Sequence, residues 1–222
     1  MKKGITILLI VAVALVSVSC GWKKKNQGAA IGAGAGAAIG ALIGNKAGNT
    51  AVGAILGAAI GGAAGAYIGN QMDKQAEEMA RDIEGAKIER VGEGIKITFE
   101  SGILFAVNKS ELQSPARTNL ENLAVILNKY PDTDVLIEGH TDADGTTDHN
   151  SDLSLRRANS VGVYLSGLQV QSNRLRMMGY GEDQPLASNA TVDGKALNRR
   201  VEVAVFANDK LKAAAKNATN EG

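Results

Sequence analysis

The apolar and polar positions of this chain repeat with different periods along its length, and these periods divide it into segments. Near the start, an apolar run from Ile5 to Val16 follows two lysines. Glycines then recur at every fourth position within residues 28–69, with mostly alanine and isoleucine between them. A charged segment follows, and short strand-like and helix-like patterns then succeed one another over residues 93–207. We therefore expect one globular domain of about 110 residues, preceded by targeting and helical segments.

The first segment has the pattern of an export signal. Its apolar run is shorter than the roughly 20 residues of a transmembrane helix. The run ends in Ser17-Val18-Ser19-Cys20, which holds the single cysteine of the chain. This ending resembles the lipobox of bacterial lipoproteins, with serine at the position where leucine is usual. We expect residues 1–19 to be a lipoprotein signal peptide, Cys20 to be lipidated, and residues 20–27 to be a lipid-anchored linker. An ordinary signal peptide with an incidental cysteine is the alternative.

Two series of glycines spaced by four residues fill residues 28–70. The first runs from Gly28 to Gly48 and the second from Gly53 to Gly69. Four helical residues turn by about 400°, so each series forms one stripe on a helix. Glycine costs roughly 0.5–1 kcal/mol relative to alanine inside a helix, so repeated glycines favour close contact between helix backbones. The segment resembles the glycine zippers that precede OmpA-like domains in some lipoproteins. We expect a helical hairpin that either enters the membrane or self-associates as a homo-oligomer; a flexible linker is the third alternative.

The segments that flank the globular domain have simple compositions. Residues 71–92 are charged, and an apolar stripe at helical spacing predicts a helical stalk, with Met72, Ala76, Met79 and Ile83 on one face. The tail, residues 208–222, consists mainly of alanine, lysine and asparagine. We expect that tail to be disordered.

The globular segment, residues 93–207, predicts an α+β fold. Alternating or continuous apolar runs indicate strands, and apolar residues three and four apart indicate helices. The expected elements are strands at Ile95–Phe99, Ile103–Phe105, Val135–Glu138, Leu175–Met178 and Arg200–Phe206, and helices at Ser114–Tyr130 and Arg156–Gly167. With the two short strands before the first helix counted as one, the resulting β-α-β-α-β-β order predicts an α/β sandwich, a small mixed sheet with both helices on one face.

The loop between the Val135 strand and the Arg156 helix concentrates the polar chemistry of the domain. It contains four aspartates and ends at two arginines: Asp142, Asp144, Asp148, Asp152, Arg156 and Arg157. Ligands of open α/β folds bind where a strand ends and a helix begins, because backbone N–H groups converge there. Asp142 and Arg157 could hold opposite charges at the two ends of one pocket, which suits a zwitterionic ligand. A plain ion pair between them is the alternative.

The same stretch resembles a known family. The sequence GHTDADG at residues 139–145, Asn150, and LSLRRANSV at residues 153–161 resemble the OmpA-like peptidoglycan-binding domain, which is shared with peptidoglycan-associated lipoproteins. The likeness extends over Ile95 to Phe206 and includes ASN at 187–189 and NRRVEV at 198–203.

The resemblance implies a ligand and roles for individual residues. The family binds the diamino acid of the peptidoglycan stem peptide, typically diaminopimelate. Asp142 corresponds to the partner of its ammonium group and Arg157 to the partner of its carboxylate. Asn150 corresponds to a loop asparagine that lines the pocket, Arg199 to a supporting arginine, and Asp144 lies in the loop whose backbone donors face the ligand. The family often has Phe-Asp where this chain has Phe105-Ala106, so one carboxylate is missing from the edge of the pocket.

Composition removes several classes of function. The 24 basic and 23 acidic residues are nearly balanced, which argues against a nucleic-acid partner. Two histidines and one cysteine leave little for nucleophilic catalysis, so we expect neither an enzyme nor a cofactor. A calcium loop that starts at Asp142 would have glycine at its sixth position, where this chain has Thr147, so we expect no metal site.

Two functions follow from these patterns. The first is an outer-membrane lipoprotein, facing the periplasm, that binds peptidoglycan non-covalently and tethers the membrane to the cell wall. Its partners would be peptidoglycan and the lipid membrane, reached through Cys20 and, if the hairpin inserts, through residues 28–69. The alternative is a membrane-inserted glycine-zipper assembly or pore that the domain docks on the cell wall.

Overall fold

A five-stranded mixed sheet organises residues 49–220, the part of the chain that the computed structural model describes. Its strands are β1 (Ala86–Val91), β2 (Gly94–Glu100), β3 (Thr133–Gly139), β4 (Leu175–Gly179) and β5 (Arg200–Ala207). They lie in the order β1-β2-β5-β3-β4, in which β3 and β4 are parallel and the other neighbours are antiparallel. The predicted α+β class with a mixed sheet is confirmed.

Seven α-helices and one short 3₁₀ helix at Ser172–Arg174 accompany the strands within the described residues; the numbered helices below are the α-helices. They are α1 (Thr50–Ala58), α2 (Gly62–Asp82), α3 (Ser101–Leu104), α4 (Ser114–Lys129), α5 (Thr147–Gly167), α6 (Val192–Asn198) and α7 (Asp209–Asn220). None of the described helices combines the length and the apolar character needed to cross a bilayer.

The main core lies between one face of the sheet and helices α2, α4, α5 and α7. Strand register places Ile97 of β2 beside Val203 of β5, and Val203 beside Ile137 of β3. These side chains are fully buried, because residues that alternate along a strand point to the same face. Leu120 and Leu127 of α4 pack on them, as the helical spacing predicts.

The second face of the sheet carries a layer that the sequence analysis does not predict. Helix α1 buries four apolar side chains there, namely Ala51, Ala54, Ile55 and Ala58. They pack against Leu136 of β3 and against Ala204 and Phe206 of β5. The helices therefore lie on both faces of the sheet rather than on one.

The second arm of the expected hairpin is not one helix. It breaks between α1 and α2, where Gly61 and Gly62 adopt φ values of +68° and +63°. Those values are readily available only to glycine, so Gly61 serves the turn rather than a packing stripe. The first arm and Cys20 lie outside the described residues.

Three further expectations about secondary structure are wrong. The stalk is helical with Met72, Ala76 and Met79 buried, as expected, but only to Asp82, and Ala86–Val91 instead forms strand β1, paired with β2. Residues expected as a strand at 103–105 lie mostly in α3, followed by a single bridge between Phe105 and Leu112. The tail is helix α7, because Leu211 and Ala215, four positions apart, reach the core.

Candidate functional site

Helix α5 begins nine residues before its expected start, and this changes the geometry of the site. Its first residue is Thr147, and the side chain of Thr146 accepts a hydrogen bond from the His149 N–H at 3.3 Å. Asn150 and Arg157, seven positions apart, therefore share one helix face, and both are buried. The first two turns of α5 are polar, so the apolar periodicity did not predict them as part of the helix.

Two glycines let α5 approach the ends of the parallel strands. A Cβ atom added at Gly139 of β3 would lie 2.0 Å from the Ser154 carbonyl oxygen. One added at Gly179 of β4 would lie 2.4 Å from the Leu155 nitrogen. The helix backbone thus rests directly on the strand ends, which sets the position of Arg157 relative to Asp142.

Asp142 is buried, but its ion-pair partner is Arg199 rather than Arg157. The Oδ2 atom of Asp142 lies 2.5 Å from Nη1 of Arg199, which directly precedes β5. Its Oδ1 accepts a hydrogen bond from the Asp144 N–H at 3.2 Å. The supporting arginine that the family resemblance names is therefore in direct contact with the carboxylate. The alternative of a plain Asp142–Arg157 ion pair is wrong.

Arg157 is 4% exposed and makes no ion pair with the described residues. Its Nε donates to the Lys109 carbonyl oxygen at 3.0 Å, and its guanidinium lies 5.3 Å from the centre of the Phe105 ring. Burial lowers the pKa of Arg157, the nearby Arg199 lowers this pKa further, and Asp142 raises it. Its Nη atoms have no hydrogen-bond partner among the described residues and remain available for an anion.

Asn150 joins the loop to a carboxylate that the sequence analysis missed. Its Nδ2 donates to the Asp142 carbonyl oxygen at 3.3 Å and to Oε2 of Glu182. Glu182 also accepts from the Thr147 hydroxyl at 3.1 Å. Glu182 lies three residues after the end of β4, so its place after a parallel neighbour of β3 is the signal that could have identified it.

The loop that precedes β5, residues 182–198 and called the closing loop below, forms the rest of the rim of the site. Asp144 is exposed and pairs with Lys195 of α6 at 2.6 Å. The Ala143 N–H donates to Oδ1 of Asn189 at 3.2 Å. Arg156, in contrast, pairs with Asp152 on the outer surface of α5. The site therefore brings together Asp142, Asp144, Asn150 and Arg199, with Arg157 close enough to respond to two of them.

A second polar cluster, on the α1 side of the sheet, has the geometry of a metal site. Glu138, His140 and Glu202 are buried, and each offers a ligand atom within 4.8 Å of the others. However, Nε of Arg200 lies 2.6 Å from Glu202, which neutralises one carboxylate. Burial, then the charge of Glu202, raise the pKa of Glu138 well above its usual value. A proton and Arg200 thus balance the two negative charges, and we assign no metal to this cluster.

Comparison with known proteins connects both parts of the chain to families. Residues 104–199 match the OmpA family, and residues 1–73 match the YMGG-like Gly-zipper family. Outer membrane porin F of Pseudomonas aeruginosa is 40% identical over 121 residues, which cover 54% of this chain and 34% of the porin. The probable lipoprotein YiaD of Escherichia coli is 37% identical over 119 residues, which cover 54% of each chain. This chain thus spans about a third to a half of the length of these relatives.

Solved structures share the fold. The cell wall anchor of the T6SS from Pseudomonas aeruginosa is 30% identical, with a TM-score of 0.55 over 60% of this chain and 96% of the anchor. A putative MotB-like protein from Desulfovibrio vulgaris is 26% identical, with a TM-score of 0.56 over 65% of this chain and 91% of that protein. The fold and the loop after β3 define an OmpA-like domain. Residues 104–199 belong to the OmpA family, and a region that matches the YMGG-like Gly-zipper family precedes them.

Proposed function

We propose that this protein is an outer-membrane lipoprotein that binds peptidoglycan non-covalently and so tethers the membrane to the cell wall. The observation that carries the proposal is the buried guanidinium of Arg157, unpaired among the described residues, beside the buried carboxylate of Asp142. Similarity to a cell wall anchor supports the same role. In this proposal Cys20 carries the lipid and the domain faces the periplasm.

The ligand is the free end of a diamino acid in the peptidoglycan stem peptide. That end carries an ammonium group and a carboxylate on one carbon. Asp142 would accept hydrogen bonds from the ammonium, and the two Nη groups of Arg157 would donate to the carboxylate as a fork. Asn150 and Glu182 hold the loop in place, so the site is formed before the ligand arrives.

The strength of these contacts suits a reversible tether. Charge-assisted hydrogen bonds contribute roughly 1.5–3 kcal/mol each. Two such contacts, with backbone donors from residues 145–147, would give micromolar affinity, equivalent to about 8 kcal/mol. Many copies that face one polymer would then bind far more tightly than a single copy.

Sedimentation with purified cell-wall sacculi tests the proposal. We expect Asp142→Asn and Arg157→Ala each to weaken binding at least tenfold, because each removes one charge-assisted contact. Asp148→Asn and Arg156→Ala are the matched controls, since both residues are exposed on the same helix, and we expect them to bind as the wild type does. Circular dichroism would verify the fold of all four. If the first two variants sediment normally, the binding site lies elsewhere.

A further inference from the structure

Helix α1 depends on the sheet for its helical form. It has nine residues, two of them glycine, which is too short and too glycine-rich for stability in water. Its buried face rests on Leu136, Ala204 and Phe206, a cluster separate from the main core. The opposite face is open, with Leu56 55% exposed. Docking on the sheet and folding of α1 are therefore one event.

Docking of α1 also covers polar groups, and this opposes the apolar contact. Glu138 and Glu202 are cross-strand partners on β3 and β5, and neither carboxylate oxygen of Glu138 has a hydrogen-bond partner among the described residues. Neither ring nitrogen of His140 has a hydrogen-bond partner among the described residues. These groups would regain water on release of α1. The apolar contacts therefore favour the docked state, and the loss of water around the polar groups opposes it.

The segment after α1 has the features of a hinge. Gly61 and Gly62 adopt positive φ, and a Cβ atom added at either would meet no atom within 4 Å. The Glu93 carboxylate bridges the turn, accepting from the Ile60 N–H at 2.9 Å and the Gly61 N–H at 2.7 Å, and the Gly61 carbonyl oxygen accepts from the Gly65 N–H at 2.9 Å. Helix α2 is fixed independently, because Met72 lies in the main core.

A series of hydrogen bonds leads from α1 to β5. The hydroxyl oxygen of Thr50 accepts from Nε2 of Gln184 at 2.7 Å. The Gln184 carbonyl oxygen accepts from Nη2 of Arg200 at 3.1 Å. Nη1 of Arg200 donates to the Asn198 carbonyl oxygen at 3.2 Å. The first residue of α1 is thereby connected to the closing loop of the peptidoglycan site.

The same series continues from Asn198 to the site. Nδ2 of Asn198 donates to Oδ1 of Asn189 at 2.8 Å, and that oxygen accepts from the Ala143 N–H at 3.2 Å. Ala143 is adjacent to Asp142. In addition, Arg199 contacts Asp142, and its neighbour Arg200, the first residue of β5, contacts Glu202 in the cluster under α1. The two sites share one loop and one strand end.

We propose that docking of α1 and binding of ligand at Asp142 and Arg157 are coupled: the docked helix holds the closing loop in its binding form, and ligand in turn favours docking. The inference rests on the function proposed above, whose regulation it describes. The element with two states is α1, and the ligand acts on it through the loop before β5. Coupling of this kind is reciprocal, so each event changes the other by the same factor.

Hydrogen–deuterium exchange of the full mature chain, with and without meso-diaminopimelate, tests the coupling. Ala54→Glu places a charge in the buried face of α1 and should release it; Leu56→Glu makes the same kind of change on the exposed face and is the control. In the wild type we expect α1 amides to exchange faster than those of β5. We expect ligand to slow α1 exchange at least about fivefold, and Ala54→Glu to weaken ligand binding by the same factor.

Three results would overturn the coupling. The first is equal exchange of α1 and β5 in the ligand-free wild type; the second is loss of protection throughout the sheet in Ala54→Glu. Either would make α1 part of one cooperative unit. The third is unchanged ligand affinity in folded Ala54→Glu.

Absence of diaminopimelate binding by the wild type would instead contradict the proposed function. In that case, hydrogen–deuterium exchange of the ligand-free variants still tests whether docking of α1 is coupled to the closing loop. Faster exchange of residues 184–198 in Ala54→Glu than in Leu56→Glu supports it, and equal exchange overturns it.

Discussion

Burial and the neighbouring charges shift the pKa of the Arg157 guanidinium in opposite directions. Burial and Arg199 lower its pKa and Asp142 raises it, yet arginine stays charged at any physiological pH. A buried cation without a close ion-pair partner is energetically unfavourable, so a bound carboxylate would stabilise it. Ala106 stands where the family often has aspartate, beside the Phe105 ring that contacts Arg157. Arg157 thus gains no acidic neighbour from that position.

Gly139→Ala tests the close approach of α5 to β3. The added methyl group would lie 2.0 Å from the Ser154 carbonyl oxygen, so either the helix or the strand end must move. We expect about 1–3 kcal/mol less stability in urea unfolding. We also expect weaker sacculus binding, because Asn150 and Arg157 shift with the helix.

Gly102→Ala is the control for this substitution, because a Cβ atom at Gly102 would meet nothing within 4 Å. Unchanged stability of Gly139→Ala would show that α5 does not rest on the strand as described.

At the scale of elements, the glycines of the second zipper series have different structural roles. Gly61 provides the turn between α1 and α2. A Cβ atom at Gly65 would lie 2.2 Å from Oε1 of Glu93, so this glycine admits the side chain that holds the turn. Gly53 and Gly57 lie on α1, which packs on the sheet of its own domain. One regular spacing in the sequence thus serves a turn, a close contact and a short helix.

Helix α7 contributes to the stability of the domain through its two buried residues. Leu211→Ala should destabilise the domain by about 2–3 kcal/mol in urea unfolding, because it removes a fully buried side chain that packs in the main core. Lys210→Ala is the control: Lys210 is exposed and its pair with Asp132 is on the surface, so we expect a change within about 0.5 kcal/mol. Equal effects of the two substitutions would mean that α7 is not docked.

At the scale of the whole molecule, docking of α1 would limit the distance that the proposed tether can span between Cys20 and the domain. With α1 on the sheet, residues 21–49 connect Cys20 to the domain. That length of chain spans at most about 100 Å when fully extended. Release of α1 would add its residues and the hinge to the connection and so lengthen it by about 40 Å. The coupling to ligand would then make the bound form the shorter tether.

Cys20→Ala tests the anchor itself. We expect the variant to remain unprocessed by lipoprotein maturation and to be lost from the outer-membrane fraction, because the lipid has no other attachment site on a chain with one cysteine. Ser19→Ala, one position earlier, is the control and should mature normally. Membrane fractionation with immunodetection measures both. A Cys20→Ala chain that matures and fractionates as the wild type does would contradict the lipoprotein proposal.

The sequence by itself determined the elements whose burial is local. The spacing of Leu120, Leu123 and Leu127 was sufficient for α4, because a helix buries one stripe. The apolar run before Gly139 was sufficient for β3, which is buried on both faces. The motif after β3 also identified Asp142, Asn150 and Arg157 as candidate site residues, because all three lie on one strand-to-helix connection.

Tertiary structure alone decided which of these residues pair and what covers the second face of the sheet. Asp142 contacts Arg199 through the pairing of β3 with β5, whose residues are some sixty positions apart, and no local pattern encodes that contact. The same pairing places Glu138 beside Glu202. The docking of α1 depends on an apolar patch that exists only once Leu136, Ala204 and Phe206 are brought together. Burial and charge pairing between distant segments are properties of the assembled sheet, and they become visible only there.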